Sequence, residues 1–385
     1  MHDPEPRPQR ILFVSHVSSL GGAELSLLDL LASLDRRRYA LRVVVPAQGE
    51  LSERLEAAEI PFDCCAFLRR LHRSRRPHRL LAQAAWVATG GVALRRLVRR
   101  HRPHLVHANS TISALYALCL PRPPPCPVIW HLRDLSFPRL IGRFLARRCA
   151  SIVVPSGACR RRVDPIADGG KIKLIPNGIR IAPPAVGGEE LRSEIVPGAG
   201  LVAVVIGQLA PWKGHALALE AARRVCDRNP DARFVVVGDD RFGDHPGAFE
   251  GLERRVRELG LEGVVRLLGH RPDVRSILAC ADLLVHPAYP EPFGRVVVEA
   301  MAEGCPVVAF AGEHGPAEIL RDGADGVLVA PRTSAALAAA ILDLAARPAR
   351  RRQLGKEARR RAAAGYDRAH MARGFAALYD TLASF

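Results

Sequence analysis

From Cys64 to Arg133 the chain contains not one Asp or Glu. Lysine is nearly as scarce, at positions 171, 173, 213 and 356 only, so the 56 basic residues are almost all Arg; set against 39 acids they give a net charge of +17. Codon bias accounts for Arg in place of Lys, but not for the missing acids. Such a segment, with Arg clustered between Arg69 and Arg102 around apolar LLAQAAW, suits an anionic surface: a membrane, a lipid-diphosphate or a nucleic acid. Aromatics are also few, at 5%, and the Arg-rich region holds one Trp. The stacking platform used on single-stranded nucleic acid is therefore missing, and no nucleic-acid partner is expected.

The nine Cys form no C-x-x-C pair and no His/Cys cluster with zinc spacing, so they read as reduced thiols of a cytoplasmic protein with no metal site. Long apolar runs are absent as well. Leu80 to Leu94 is shorter than the roughly 20 residues a spanning helix needs, and MHDPEPRPQR lacks the basic-then-apolar pattern of a signal peptide. A cytoplasmic protein is expected, either soluble or peripheral on the inner face of the cytoplasmic membrane.

A chain of 385 residues with 48% hydrophobic content is long enough for two domains. RILFVSH reads as a buried strand, followed by the loop SSLGGAE and an amphipathic helix. The alternation continues through LRVVVP, a short strand near Phe62, a long helix within Leu80 to Arg100, HLVHAN, PVIWHL, SIVVPS and KIKLIPNGI. It resumes after a Pro/Gly-rich stretch, 182–200, that reads as a linker. The second series is LVAVVI, ARFVVVGDD, GVVRLLGH, DLLVHP, PVVAF and GVLVA. Two doubly wound α/β domains are expected, at 1–181 and 182–365, with a terminal helical segment, 366–385, returning to the first.

Ligands of open α/β sheets lie at the carboxyl ends of strands. Gly21 and Gly22 follow the first strand, His107 and His131 each end a strand, and Lys213 precedes a helix where an ammonium reaches a diphosphate. The Asp239 and Asp240 pair suggests Mg²⁺, a reading set aside because positive charge is already supplied by Lys213 and a helix start.

That helix start lies in PAYPEPFGRVVVEAMAEGCPVV, from Pro287 to Val308. A helix is expected to open at Phe293, Gly294 and Arg295, where unpaired N–H groups and the dipole favour a phosphate. Glu291 and Glu299 flank it, roughly 7 Å of axial rise inside the helix for the second. Carboxylates repel phosphate but accept hydrogen bonds from hydroxyls, and a nucleotide sugar places hydroxyls on both sides of a diphosphate. A glycoside hydrolase using the same two carboxylates would need them about 5–9 Å apart across one bond, whereas a helix start stands between them.

EPFGRVVVEAMAEGCPVVA resembles the E-x7-E signature of retaining glycosyltransferases of the GT-B class, family 4; GGAE, WHLRD, IPNGI and APWKG resemble its other motifs. The resemblance implies a GT-B fold, two Rossmann-like domains facing across a cleft, with the donor on the second and the acceptor on the first. It implies hexosyl transfer from a UDP- or GDP-sugar, with retention and without metal or other cofactor, through front-face departure aided by the leaving phosphate. The implied acceptor is a glycan, glycolipid or lipid-linked molecule of cell-envelope polysaccharide or glycoconjugate synthesis, the alternative being a soluble small molecule. Carried over residue by residue, the resemblance makes His131, Glu291 and Lys213 catalytic. Gly21, Gly22, Gln208, Lys213, Arg271, Glu291, Phe293, Gly294, Arg295 and Glu299 then bind the donor, with His107 and Arg133 on the acceptor side. Gln208 stands where the family usually has Arg, and EHG at 313–315 replaces its usual glycine pair before Glu318.

Overall fold

The computed structural model describes residues 8–71, 77–122 and 124–383. The chain divides into two compact units, one comprising 1–178 with 368–385 and the other 179–367.

The first unit is built on seven parallel strands: β1 (Gln9–Val14), β2 (Tyr39–Val45), β3 (Phe62–Cys64), β4 (Leu105–Ala108), β5 (Val128–His131), β6 (Ser151–Val154) and β7 (Ile172–Leu174). Their order is β3-β2-β1-β4-β5-β6-β7. Alternate residues of each strand enter opposite layers, and because both layers are covered the strands read as continuous apolar runs. On one face Ile11, Phe13, Leu105, Ile129 and Val153 pack with Leu27 and Leu30 of helix Gly22–Leu31 and Phe375 of helix Arg368–Ala383. On the other, Leu12, Val14, Val106, Trp130 and Ile152 meet helices Pro77–His101, Thr111–Leu118 and Arg139–Arg148. Phe375 is fully buried, so truncating it to Ala costs about 3–5 kcal/mol.

The second unit holds six parallel strands: β8 (Leu201–Ile206), β9 (Ala232–Val237), β10 (Val265–Leu267), β11 (Leu283–His286), β12 (Val307–Phe310) and β13 (Val327–Val329). Their order is β10-β9-β8-β11-β12-β13. In both sheets the order reverses beside the first strand, between β1 and β4 and between β8 and β11. Neighbouring loops leave in opposite directions at such a point, opening a crevice at the carboxyl edge.

One expectation is corrected. The stretch 182–200 is not a plain linker, because it contains helix Gly188–Ile195. Tertiary bonds hold this short helix: Arg192 donates to the carbonyl of Cys280 at 3.0 Å and pairs with Asp282 at 2.9 Å. No described helix is long and apolar enough to cross a membrane.

Candidate active site

In the second unit the loops after β8 and β11 lie on either side of the reversal and touch. Tyr289 N–H donates to the carbonyl of Trp212 at 2.9 Å. Gly214 has φ +74°, and a Cβ there would stand 2.5 Å from the carbonyl oxygen of Pro287; only glycine permits both the turn and this approach. The contact brings Lys213 to Glu291, Nζ donating to Oε2 at 2.6 Å. Burial pushes the Glu291 carboxyl up, but Lys213 and His286 outweigh it and hold the group below its usual range. His286 ends β11 with Nε2 4.0 Å from the same carboxylate oxygen. Burial lowers its imidazole to about 4, against the pull of Glu291, so it is neutral at physiological pH.

Past Glu291 the chain turns through Gly294, at φ +89° and ψ 61°, into helix Arg295–Glu303. The left-handed turn is again one that glycine adopts without strain. Phe293 is buried beside it, and Gly315 N–H donates to the carbonyl of Glu291 at 2.8 Å, fixing the loop against the segment after β12. Glu299 accepts from Arg295 Nε at 2.7 Å, one turn apart on the helix. This edge therefore presents a helix start and an ammonium for an anion, with two charge-compensated carboxylates able to accept from hydroxyls. Gln208 lies in the loop after β8, its carbonyl oxygen 3.1 Å from His215 Nε2. The guanidinium of Arg271 pairs two-pronged with Asp273, at 2.8 and 2.7 Å, rather than with these residues.

In the first unit Gly21 and Gly22 open helix Gly22–Leu31. Gly21 N–H donates to Glu24 Oε2 at 3.3 Å, and a Cβ at Gly22 would meet nothing within 4 Å, so packing alone does not demand glycine there. Arg133, after β5, donates to Ser26 (3.0 Å), Asn177 (2.5 Å) and Asn109 (2.9 Å). Its guanidinium thus ties together three segments of the unit, a structural task beyond the acceptor role expected. His131 ends β5 and His107 is the last residue but one of β4; both are fully buried, with His107 Nε2 3.0 Å from His131 Nδ1 and His107 Nδ1 2.6 Å from the Tyr379 hydroxyl. Among the described residues no three His, Cys, Asp or Glu side chains are grouped to hold a metal ion. Asp240 accepts from the backbone N–H groups of Asp244 (3.0 Å) and His245 (2.7 Å), closing its own loop.

Two family models match, one on each sheet: "Glycosyltransferase Family 4" over residues 20–182 and "Glycosyl transferases group 1" over 189–361. The chain belongs to glycosyltransferase family 4. Its GT-B fold is shared with Anabaena HepE in complex with UDP-glucose, at 27% identity and TM-score 0.82, over 97% of this chain and 100% of that one. Among curated proteins it is similar to the D-inositol 3-phosphate glycosyltransferase of Nocardia farcinica, 31% identical over 72% of this chain and 61% of that protein. The Corynebacterium aurimucosum enzyme of the same name is 35% identical over 41% of this chain and 38% of that one. The chain thus spans less than two thirds of either relative.

Several partners and neighbours of the expected residues were not found from sequence. His286 in DLLVHP has the same strand-end position as His131, a signal that was available. Glu24, buried three residues after Gly21, follows from the capping spacing in GGAE. Asn177 lies in IPNGI, a stretch the sequence already marks, but Tyr379 carries no local signal, since its partner His107 is distant in sequence. Of the Arg cluster, Arg69 is exposed, with its guanidinium 4.0 Å above the Trp86 ring. Arg73, Arg75 and Arg76 lie outside the described residues.

Proposed function

We propose that this protein transfers a sugar, with retention and without a metal ion, from a UDP-sugar to a hydroxyl of a small polar acceptor. The observation that carries the reading is the Lys213–Glu291 pair at the β8/β11 reversal, beside the glycine-opened start of helix Arg295–Glu303. Lys213 and the helix start stabilise charge developing on the leaving diphosphate. Glu291 accepts from sugar hydroxyls and Glu299 from the ribose; His131 is the hydrogen-bonding residue that the first unit supplies to the transfer. The UDP-glucose bound by Anabaena HepE supports a uridine donor. The D-inositol 3-phosphate glycosyltransferases among the relatives support a soluble acceptor over the lipid-linked one first expected. A radiolabelled panel of UDP- and GDP-sugars against polyols, polyol phosphates and lipid-linked acceptors tests this; transfer from a UDP-sugar to a soluble acceptor is expected, and transfer to lipid alone refutes it.

A second reading, docking on an anionic membrane, is favoured by one surface feature. Leu140 is 78% exposed between the exposed Arg139 and Arg143, an apolar residue framed by positive charge, as membrane-surface helices present.

A further inference from the structure

His107 and His131 occupy positions in an otherwise apolar layer. By register His107 stands opposite Phe13 and Ile129, and His131 follows Ile129 by two, so both side chains enter the layer of Phe13 and Phe375. The two imidazole rings lie 5.1 Å from the Phe375 ring, centroid to centroid. Buried polar groups in such a layer are costly unless each finds a partner. Here they form a chain, Tyr379 Oη to His107 Nδ1 and His107 Nε2 to His131 Nδ1, which ends at His131 Nε2, buried and without a hydrogen-bond partner.

The two ways of placing protons along this chain are not equal. In one, the Tyr379 hydroxyl donates to His107 Nδ1 and His107 Nε2–H donates to His131 Nδ1, which leaves the Nε2–H of His131 and the phenol oxygen unmet. In the other, every bond runs in reverse, which leaves the phenol O–H and the bare Nε2 of His131 unmet. Imidazole nitrogen is the stronger acceptor and phenol O–H the stronger donor, so the first arrangement, which satisfies both, is the cheaper in this layer. Charged imidazoles are disfavoured, since burial and then Arg133 press both histidines well below their ordinary range. Arg133 is the charged group acting on the pair; β1 and helix Arg368–Ala383 contribute Phe13, Phe375 and the neutral phenol of Tyr379.

We infer that Tyr379, acting through His107, is a positioning residue that fixes His131 as the Nε2–H tautomer, a neutral hydrogen-bond donor held ready for a ligand oxygen. The inference rests on the proposed role of His131 in sugar transfer. It makes His131 a hydrogen-bond donor in that role, and it excludes His131 as a general base, because the nitrogen left open already carries its proton.

The test is ¹⁵N-histidine NMR of the full-length protein with and without Tyr379→Phe and His107→Phe, beside steady-state kinetics. Wild type is expected to show both histidines neutral, protonated at Nε2, and untitrated between about pH 5 and 8. In Tyr379→Phe the two proton arrangements become near-equal, so His131 splits into a mixture of tautomers. The competent fraction and kcat then fall about twofold, with KM little changed. His107→Phe keeps the aromatic layer filled and frees His131 Nδ1 to carry the proton. An Nδ1–H or titrating His131 in wild type, or an unchanged tautomer in both variants, overturns the inference. If Tyr379→Phe does not fold, the wild-type spectrum and His107→Phe still decide. Should the tautomer be found as expected while His131→Ala retains full turnover, the fault lies with the site reading and not with the relay.

Discussion

Replacing Lys213 by Ala strands a carboxylate. Glu291 has 10% and Lys213 20% of its side chain exposed, and they meet at 2.6 Å. Breaking a buried pair by removing one partner costs 3–5 kcal/mol; with Lys213 still partly wet, about 3 kcal/mol applies. At 2–4 °C per kcal/mol for a unit of this size, the melting temperature should drop by roughly 6–12 °C at pH 7. The pH dependence has a definite sign. In wild type the Glu291 pKa lies below its ordinary 4.5, so its contribution is present above pH 4.5 and lost as pH falls through the lower, folded value. In Lys213→Ala burial, the largest influence, is no longer outweighed by the ammonium and raises the pKa; the carboxylate then destabilises the fold increasingly above pH 4.5. The gap between the two melting curves is therefore widest near neutrality and narrows below pH 4.5. Differential scanning calorimetry of Lys213→Ala, Glu291→Gln and the double variant measures the coupling. Additivity within about 0.5 kcal/mol at pH 7 would refute the reasoning.

Glu299→Ala should weaken UDP binding by roughly tenfold to a hundredfold, the 1.5–3 kcal/mol of a hydrogen bond to a charged group, with the melting curve of the free protein little changed; unaltered affinity by calorimetry removes the ribose assignment. Sugar transfer should persist in EDTA if Lys213 and the helix start are the diphosphate's partners, as proposed, and rescue by Mg²⁺ or Mn²⁺ after loss would reinstate Asp239 and Asp240. If the Arg-framed surface docks on membrane, Arg69, Arg70, Arg139 and Arg143 changed to Gln should release the protein from anionic vesicles. Wild-type binding should also weaken as the screening length falls from about 10 Å at 0.1 M salt to about 3 Å at 1 M. Equal sedimentation of both proteins at either salt leaves codon bias as the better account of the charge.

The sheets were legible because buried parallel strands are near-continuous apolar runs, as in LVAVVI and FVVV, and because glycines mark the turns at their carboxyl ends. Glu291, Glu299 and Gly294 were legible for a local reason, since a helix start and two carboxylates lie within one short stretch. Helix Gly188–Ile195 was not, because its one buried residue, Ile195, gives no amphipathic period and its support comes from Cys280 and Asp282. Nor were the long-range bonds within each unit. Tyr379 lies 272 residues from His107, and Lys213 lies 78 from Glu291. The bonds of Arg133 to Ser26, Asn109 and Asn177 are a further closure that topology alone supplies.

The claim that the carboxyl edge of the second sheet holds a nucleoside diphosphate is tested most directly by hydrogen exchange with and without UDP. At a UDP concentration 100 times its dissociation constant, bound protein is stabilised by about 2.7 kcal/mol. Protection should be strongest in peptides spanning 207–214 and 291–299, and it should be lost in Lys213→Ala. Protection confined to peptides of the first unit, or none at saturating UDP, would contradict the claim.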